Sequence, residues 1–430
     1  MIEDGDTLVP KLMYERLDGW SSQAQSSIIL PFSAGKYRVI TPAASDSQFL
    51  EWYKPGAVST PFDLILYHEV DMNANSGAGK VTKRMVPLLQ GVKLSRTQTM
   101  ACRHGDGKSW WLLKQASDTN LVYKFLFTED SVYGPYLQGF AEPHFDDWDY
   151  GGQSMFSKDG TRYATTAQYG HKIFVADFDR CSGRLSNPKV YEVPAPFTQN
   201  PYDSTERDSV TNGLAFSPNG RFLYVSGFNN VQQLDLQDNN MATAWATIAG
   251  IDTTWDWFQL YSNIYPGPGD KLYIGNWHGL GGQMSVINRP DNKGSASDFC
   301  RKCLRFPGYV FQGLTYFAGV GSPPCMPDYR LGAASPICYP TGVPTPAAAT
   351  VFTLYPNPAN ERVMLRFPSK YVEAGECSLF DITGRRVATA SFNGYSGTVE
   401  IDVRHLPSGL YHYRVTHNGV AKASGKFIKQ

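Results

Sequence analysis

A strand–turn–strand pattern that recurs five times constrains the fold more than any other feature of the sequence. Each copy has an aromatic residue or proline, a polar stretch that ends in glycine, and then a β-rich run. Asp-Gly and Asn-Gly pairs accept the positive φ that hairpin turns require, so the copies predict β-hairpins. The copies occupy residues 31–40, 104–111, 156–163, 216–225 and 265–274.

A further alternating strand follows every copy, and a less regular fourth segment leads into the next one. These strands cover residues 62–70, 121–127, 172–178, 231–236 and 283–288. Four strands per unit, repeated at roughly 50 to 70 residues, are typical of β-propeller blades. Aromatic residues make up 13% of the chain, and glycine and proline number 40 and 28, which also favours an all-β protein. The alternative is a set of unrelated hairpins in a β-sandwich.

Parts of the repeats resemble known propellers. Residues 217–220, Ser-Pro-Asn-Gly, are similar to the Ser-Pro-Asp-Gly repeats of TolB-like and WD-like propellers. Residues 177–188, 213–226 and 329–332 resemble the propeller region of large surface and secreted proteins of Bacteroidetes. This resemblance runs from about residue 20 to 332 and implies a propeller domain over residues 1–335, with no established activity to transfer.

The N-terminus is acidic and polar and lacks the basic and apolar stretches of a secretory signal peptide. The first repeat turn comes at Gly35, which leaves too little chain ahead of it for another blade. We therefore expect at least one blade and the signal peptide to precede this sequence in the native protein. No apolar run approaches the roughly 20 residues that span a bilayer. Lys+Arg and Asp+Glu balance at 39 each, so nucleic-acid binding is not predicted.

A linker and a second domain follow the repeats. Residues 336–350 are rich in proline and small residues without periodicity, which predicts a stiff, extended linker. Beyond it, short strand patterns separated by turns predict an antiparallel β-sandwich over residues 351–430. The patterns lie at residues 363–367, 376–381, 398–403, 409–416 and 425–428.

The motifs of this second domain are specific in order, spacing and terminal location. They lie at residues 354–360, 379–384, 401–414 and 425–430 and resemble the type A sorting domain of the type IX secretion system. The resemblance implies that the secretion machinery and its sortase-like peptidase are partners, and that the protein is extracellular or on the outer-membrane surface. Individually these residues also serve as scaffold of a small sandwich, and the sorting role belongs to the assembled surface. The motif residues are Tyr355, Pro356, Asn357, Pro358, Asp381, Gly384, Leu406, Gly409, Tyr411 and Lys426.

Seven cysteines raise the question of metal or redox chemistry. Cys300 and Cys303 lack the second close pair that a zinc ribbon needs, so a local disulfide or two ordinary thiols is predicted. Cys325 and Cys338 flank a proline-rich segment and are placed to staple it in an oxidising compartment. Spacing alone leaves the connectivity open.

Loops that enter the blades, or follow their inner hairpins, carry tryptophans and acids and predict a ligand-binding face. Tryptophan stacks on sugars and peptides, and grouped carboxylates could hold Ca²⁺, so the expected ligand is a glycan, peptide or protein. In the alternative, the tryptophans are buried between blades and the acids only solvate loops. No nucleophile elbow, Walker loop or zinc-protease motif is present, which favours binding over catalysis. The candidate residues are Asp146, Trp148, Asp149, Trp255, Asp256, Trp257, Trp277 and His278.

A rival enzyme hypothesis rests on residues 212–218. They resemble the segment of gluconolactonase-type propellers in which an asparagine, here Asn212, binds a divalent metal. The resemblance implies metal-activated water that attacks a lactone. The companion glutamate that the family has near its N-terminus has no counterpart that can be placed here.

Overall fold

A computed structural model describes most of the chain, which divides into a larger unit, Met1–Tyr133 and Gln138–Pro340, and a smaller unit, Gly134–Leu137 and Thr341–Gln430. No helix among the described residues is long and apolar enough to cross a membrane. The described residues are 27–45, 48, 62–117, 119–140, 152–166, 172–194, 199–200, 203–207, 211–250, 260–276, 283–306, 308–311, 314–317, 326–338, 353–366, 375–392, 398–417 and 420–430.

The larger unit begins with a seven-stranded antiparallel sheet in which each strand pairs with the next one in the chain. Strand β4 has 24 residues; its first part pairs with β3 and its last part pairs with β5. It therefore joins two successive four-strand meanders. The strands are β1 Ile28–Ser33, β2 Lys36–Ala43, β3 Phe62–Asp71, β4 Lys80–Arg103, β5 Trp110–Ala116, β6 Leu121–Phe127 and β7 Val132–Gly139.

Three four-stranded antiparallel sheets follow, again with sequential strand order. The second sheet has β8 Ser154–Phe156, β9 Arg162–Thr166, β10 Lys172–Asp179 and β11 Arg184–Glu192; a short pair, β12 Gln199–Asn200 and β13 Asp203–Arg207, comes next. The third sheet has β14 Gly213–Phe216, β15 Phe222–Ser226, β16 Val231–Asp235 and β17 Trp245–Ala249. The fourth sheet has β18 Tyr261–Pro266, β19 Leu272–Asn276, β20 Gln283–Ile287 and β21 Phe299–Arg305; the pair β22 Gly308–Phe311 and β23 Leu314–Phe317 ends the series. Helix α1, Met241–Ala244, and the 3₁₀ turns Asn75–Gly77, Pro268–Asp270 and Gly294–Ser297 are short.

All five predicted hairpins are present, each with its glycine in the left-handed region. The φ angles are +72° at Gly35, +73° at Gly107, +72° at Gly160, +72° at Gly220 and +73° at Gly269. A side chain at these angles would be strained, which explains why glycine ends each polar stretch. The all-β prediction is confirmed.

Two of these turns share the same hydrogen bonds. In the second sheet, Ser157 Oγ accepts from the N–H of Arg162 at 3.0 Å, and Gly160 N–H donates to Ser157 O at 2.8 Å. In the third sheet, Ser217 Oγ accepts from the N–H of Phe222 at 2.9 Å, with the equivalent glycine bond at 2.8 Å. The Ser-x-x-Gly sequence therefore encodes the turn itself.

The first strands of the second, third and fourth sheets lie beside one another. Gln153 joins them: its Oε1 accepts from the N–H groups of Leu214 and Ile264 at 3.0 Å each, and its Nε2 donates to Ile264 O at 2.8 Å. Gly213 permits the close approach, since a Cβ there would lie 2.4 Å from the Ser262 carbonyl oxygen. First strands that converge while each sheet continues away from them are what a propeller has around its axis.

Disulfides correct one prediction and confirm another. Cys338 is bonded to Cys181, across 157 residues, and not to Cys325, which lies outside the described residues. The expectation failed because residues 326–338 fold back onto the turn after β10 instead of closing a local loop. Cys300 and Cys303 form the local disulfide that was one of the two predicted alternatives.

The smaller unit has two antiparallel sheets that share one hydrophobic core. Core residues come from both sheets, including Val363 and Ile401 from the first and Leu379, Val415 and Phe427 from the second. One sheet consists of β24 Thr353–Tyr355, β25 Arg362–Arg366 and β28 Thr398–Asp402; the other consists of β27 Arg386–Phe392, β26 Gly375–Phe380, β29 Gly409–His417 and β30 Val420–Lys429, in that order. The five predicted strands are present, and β24 and β27 were not predicted.

Candidate functional site

The eight residues of the predicted ligand face, Asp146 to His278, all lie outside the described residues. That face therefore stays a prediction. Of the predicted linker, residues 339–350 also lie outside the described residues.

Asn212, the candidate metal ligand, is 1% exposed and lies just before β14. Its Nδ2 donates to Tyr261 O at 3.4 Å, while its Oδ1 has no hydrogen-bond partner among the described residues. The neutral side chain of Asn263 lies beside it, with Nδ2 donating to Asn212 O at 3.3 Å. The described residues contain no group of three or more His, Cys, Asp or Glu that could hold a metal ion. Since Ca²⁺ sites are built from several oxygen ligands that include carboxylates, the described surroundings of Asn212 do not supply one.

A pocket of about 510 Å³ lies at the other end of the first strands, where they enter the hairpin turns. We call it the turn-end pocket. Its walls come from the end of β4, from β8, β14 and β18 with their turns, and from residues 326–331. Sequence reasoning missed it, because its residues are far apart in the chain and meet only when the first strands converge. Its apolar lining includes Met100, Met155, Phe156, Phe216, Tyr265, Met326 and Leu331.

One wall of the pocket is part of a strap, residues 326–338. The Cys181–Cys338 disulfide holds one end, and Tyr329 OH donates to Ile29 O at 2.6 Å near the other. Between them, Ala334 N–H donates to Gly105 O at 3.0 Å. A Cβ on Gly105 would lie 2.1 Å from Cys338 Sγ, so the strap packs directly on the turn after β4.

Arg103 joins the strap to the pocket. Its guanidinium lies 3.9 Å from the centroid of the Trp110 ring, and its Nη2 donates to Tyr329 O at 3.0 Å. Its Nε is buried and has no hydrogen-bond partner among the described residues. Burial lowers the pKa of Arg103, yet arginine keeps its charge in proteins. The pocket wall therefore contains a partly buried cation.

The other ionisable groups of the pocket favour binding over catalysis. Burial raises the pKa of the Cys102 thiol to about 12, so at neutral pH it is no nucleophile. Lys158 and Asp270 pair with each other at 2.8 Å on the exposed rim. This leaves neither group poised as a general acid or base.

In the smaller unit, the first motif binds the last strand. Asn357 Oδ1 accepts from the N–H of Ile428 at 2.9 Å, and Asn357 Nδ2 donates to Lys426 O at 3.3 Å. Ala359 N–H donates to Ile428 O at 2.8 Å. Tyr355 is exposed, and Pro356 and Pro358 follow cis peptide bonds. Residues 355–359 thus form a clasp, in which a side-chain amide pairs with the backbone of the edge strand β30.

The remaining motif residues are divided between turns and core. Asp381 Oδ1 accepts from Thr383 N–H at 3.0 Å, and Gly384 completes the turn at φ +82°. The hydrogen bond from the Thr383 side chain lowers the pKa of Asp381. Leu406 is buried, and the buried Tyr411 donates to Pro407 O at 2.8 Å. Gly409 begins β29, and Lys426 lies on the exposed face of β30.

Three aliphatic side chains form an exposed row at one end of the four-stranded sheet. Leu410 and Ile428 are cross-strand partners and are 41% and 47% exposed. Ile382 is 77% exposed and follows Phe380, whose partner is His412, so it lies at the same end as Leu410. We call these three residues the exposed row. Branched aliphatic residues on a solvent-facing sheet surface are a feature of interaction sites when they are grouped.

Comparison with known proteins finds a family match for the C-terminal part of the chain. Residues 353–430 match the family model of the secretion system C-terminal sorting domain. This match supports a sorting domain over residues 353–430. A search of the curated proteins found no match.

Several solved structures resemble the chain at low identity. A putative 6-phosphogluconolactonase from Bacteroides fragilis is 12% identical, with 63% of this chain and 81% of that chain covered and a TM-score of 0.36. A putative 6-phosphogluconolactonase from Bacteroides uniformis is 13% identical, with 93% and 87% covered and a TM-score of 0.36. The extracellular domain of a putative one-component system from B. thetaiotaomicron is 9% identical, with 94% and 43% covered and a TM-score of 0.32. Scores this low transfer no activity to this chain.

Proposed function

We propose that the protein is exported through the type IX secretion system by its C-terminal sorting domain, and that the larger unit is a propeller that binds an extracellular ligand. The match over residues 353–430 carries the first part of the proposal. The clasp supports it physically, because the first motif of the domain is hydrogen-bonded to its last strand, so the whole segment folds as one unit.

Two disulfides in the larger unit support an extracytoplasmic location. Disulfides persist in oxidising compartments such as the periplasm and the cell exterior. Both Cys181–Cys338 and Cys300–Cys303 are bonded, while the free thiols Cys102 and Cys377 are buried. Of the six cysteines that the structure describes, four are thus paired and the two free ones are shielded by burial.

We assign the contact with the secretion machinery to the exposed row. Lys426 and Arg414 are exposed on the same sheet face, so the matching partner surface has an apolar centre and an acidic rim. The row does not contribute to the core, so selection for folding alone does not explain three aliphatic residues there.

Export is tested by fractionation of a host that has the type IX system. The full chain, supplied with a cleavable signal peptide, should reach the medium or the cell surface, while a chain that ends at residue 340 should stay in the periplasm. The same full chain in a strain that lacks the outer-membrane translocon is the control and should also stay inside. Equal export of both chains would overturn the proposal.

Binding by the larger unit, as against metal-dependent lactone hydrolysis, is tested by metal analysis of the purified protein. The neutral surroundings of Asn212 lead us to expect no stoichiometric divalent ion. A bound ion that is lost in Asn212→Ala, together with lactone hydrolysis, would establish the enzyme instead.

A further inference from the structure

The turn-end pocket has the size and the lining of a small-molecule site. Its volume of about 510 Å³ falls within the range of roughly 300 to 1,000 Å³ that ligand pockets have. Three methionines, Met100, Met155 and Met326, line it together with the rings of Phe216 and Tyr265. Thioether sulfur and aromatic rings make favourable contacts with a further aromatic ring. This lining selects an apolar, aromatic molecule.

The charges around the pocket are unbalanced in favour of cations. Lys158 pairs with Asp270 at 2.8 Å, and Arg330 pairs with Asp328 at 3.5 Å. Arg103 and Lys271 also line the pocket, and among the described residues neither has a carboxylate within ion-pairing distance. Lys271 donates only to the neutral Asn288 Oδ1, at 2.8 Å.

The guanidinium of Arg103 is the second of these cations. Its Nε is shielded from water and has no partner in the described part of the chain, whereas the two outer nitrogens donate to backbone carbonyls of Lys108 and Tyr329. These carbonyls are neutral and leave the charge of the guanidinium in the pocket wall, where it attracts an anion. An anionic acceptor forms the stronger, charge-assisted bond.

We propose that the turn-end pocket binds an aromatic molecule that carries one carboxylate. Two sources have this chemistry, namely small aromatic acids and peptides that end in an aromatic residue. The inference rests on the proposed role of the larger unit as a binding module. It does not depend on export, since its test uses purified protein.

Two dyes with related rings test the pocket by fluorescence titration of the full chain. The anionic dye 8-anilinonaphthalene-1-sulfonate should bind more tightly than N-phenyl-1-naphthylamine, which has the same rings without the charge. Lys271→Gln should weaken binding of the anionic dye about three- to fivefold, as expected for one partly exposed charge, and leave the neutral dye unchanged. Met326→Trp should fill the pocket and remove binding of both dyes.

Two controls separate the pocket from other apolar surfaces and from misfolding. Ile382→Ser removes an aliphatic side chain of the sorting domain that is 77% exposed, and it should leave both titrations unchanged. Thermal unfolding of each variant shows that the fold is retained. Dye binding that survives Met326→Trp, or that does not distinguish the anionic from the neutral dye, would overturn the inference.

Competition with the anionic dye then identifies the source of the carboxylate. N-acetyltryptophan and the peptide Gly-Gly-Trp should each displace the dye, while N-acetyltryptophanamide, which lacks the carboxylate, should not. If N-acetyltryptophan binds more tightly, the ligand is a small aromatic acid; if Gly-Gly-Trp binds more tightly, it is a peptide that ends in an aromatic residue. Displacement by the amide as strong as by the acid would contradict the role of Arg103 and Lys271.

Discussion

The larger unit buries polar side chains between its sheets, whereas the smaller unit buries a core that is almost wholly apolar. Gln153, Asn212, Asn263 and Ser226 are all nearly inaccessible at the convergence of the first strands. In the described part of the smaller unit, Ser378 and Lys429 are the buried polar residues, and its core is a single hydrophobic cluster.

This difference shows how each unit fixes the relative positions of its strands. A buried polar side chain is stable only when its hydrogen bonds are made, so Gln153 fixes the relative position of neighbouring sheets. An apolar core tolerates rearrangement more readily, and the smaller unit therefore relies on its clasp and turns to define its surface. Substitutions in the buried polar network of the larger unit and in the clasp of the smaller unit should therefore have different effects on stability.

The largest effect should follow Gln153→Leu. This change leaves the N–H groups of Leu214 and Ile264 and the carbonyl of Ile264 without partners in a buried place. We expect the free energy of unfolding to fall by about 5 kcal/mol, from three orphaned groups. Gln237→Leu, on an exposed turn, is the control and should change it by less than about 0.5 kcal/mol in urea unfolding. A loss below about 1 kcal/mol for Gln153→Leu would contradict the role given to the polar network.

The two disulfides provide a matched pair for the strap. Cys338→Ser opens a link between residues 157 apart and should destabilise the larger unit by about 5 kcal/mol, because a long loop is released in the unfolded chain. Cys303→Ser opens a link across only 3 residues, for which the same relation gives about 1.5 kcal/mol. Urea midpoints and cleavage of the strap by trypsin measure the difference. Equal losses would contradict the dependence of the stabilisation on loop length.

In the smaller unit, Asn357→Ala removes the two hydrogen bonds of the clasp to β30. The partners are at an edge that water can reach, so we expect a loss of about 1 kcal/mol. Asn360→Ala, at a neighbouring exposed position, is the control. Hydrogen exchange should be faster at the Ile428 amide in Asn357→Ala alone, and an unchanged rate would rule out the clasp.

The smallest effect is a pH dependence within the third sheet. Arg221 donates to both carboxylate oxygens of Asp235, at 3.1 and 2.7 Å, and these bonds lower the pKa of Asp235. A lowered folded-state pKa stabilises the protein above the unfolded pKa of about 4, and this stabilisation is lost as the pH falls through the folded-state pKa. Asp235→Asn should therefore destabilise the protein at pH 7 and less so at pH 3, with Asp130→Asn as the control. A deficit that is the same at both pH values would contradict this.

The fold could be predicted from local features of the sequence, and the pocket could not. The positive φ at each hairpin turn requires glycine. The five turn glycines therefore predict the five hairpins directly from the sequence. Strand β27 was missed because its exposed and buried positions do not alternate, and β24 has only three residues. The disulfide partner of Cys338 and the lining of the pocket come from segments that are far apart in the chain. These segments meet only when the sheets converge, so no local sequence pattern predicts their contact.

The central claim is that the smaller unit directs export and the larger unit binds a ligand. Two variants expressed in one host test this claim most directly. The triple variant Ile382→Ser, Leu410→Ser, Ile428→Ser should stay in the periplasm and still bind the anionic dye after purification. Met326→Trp should reach the medium or the cell surface as the unmodified chain does and fail to bind the dye. Export of the triple variant at the unmodified level, or retention of Met326→Trp inside the cell with its fold intact, would contradict this division.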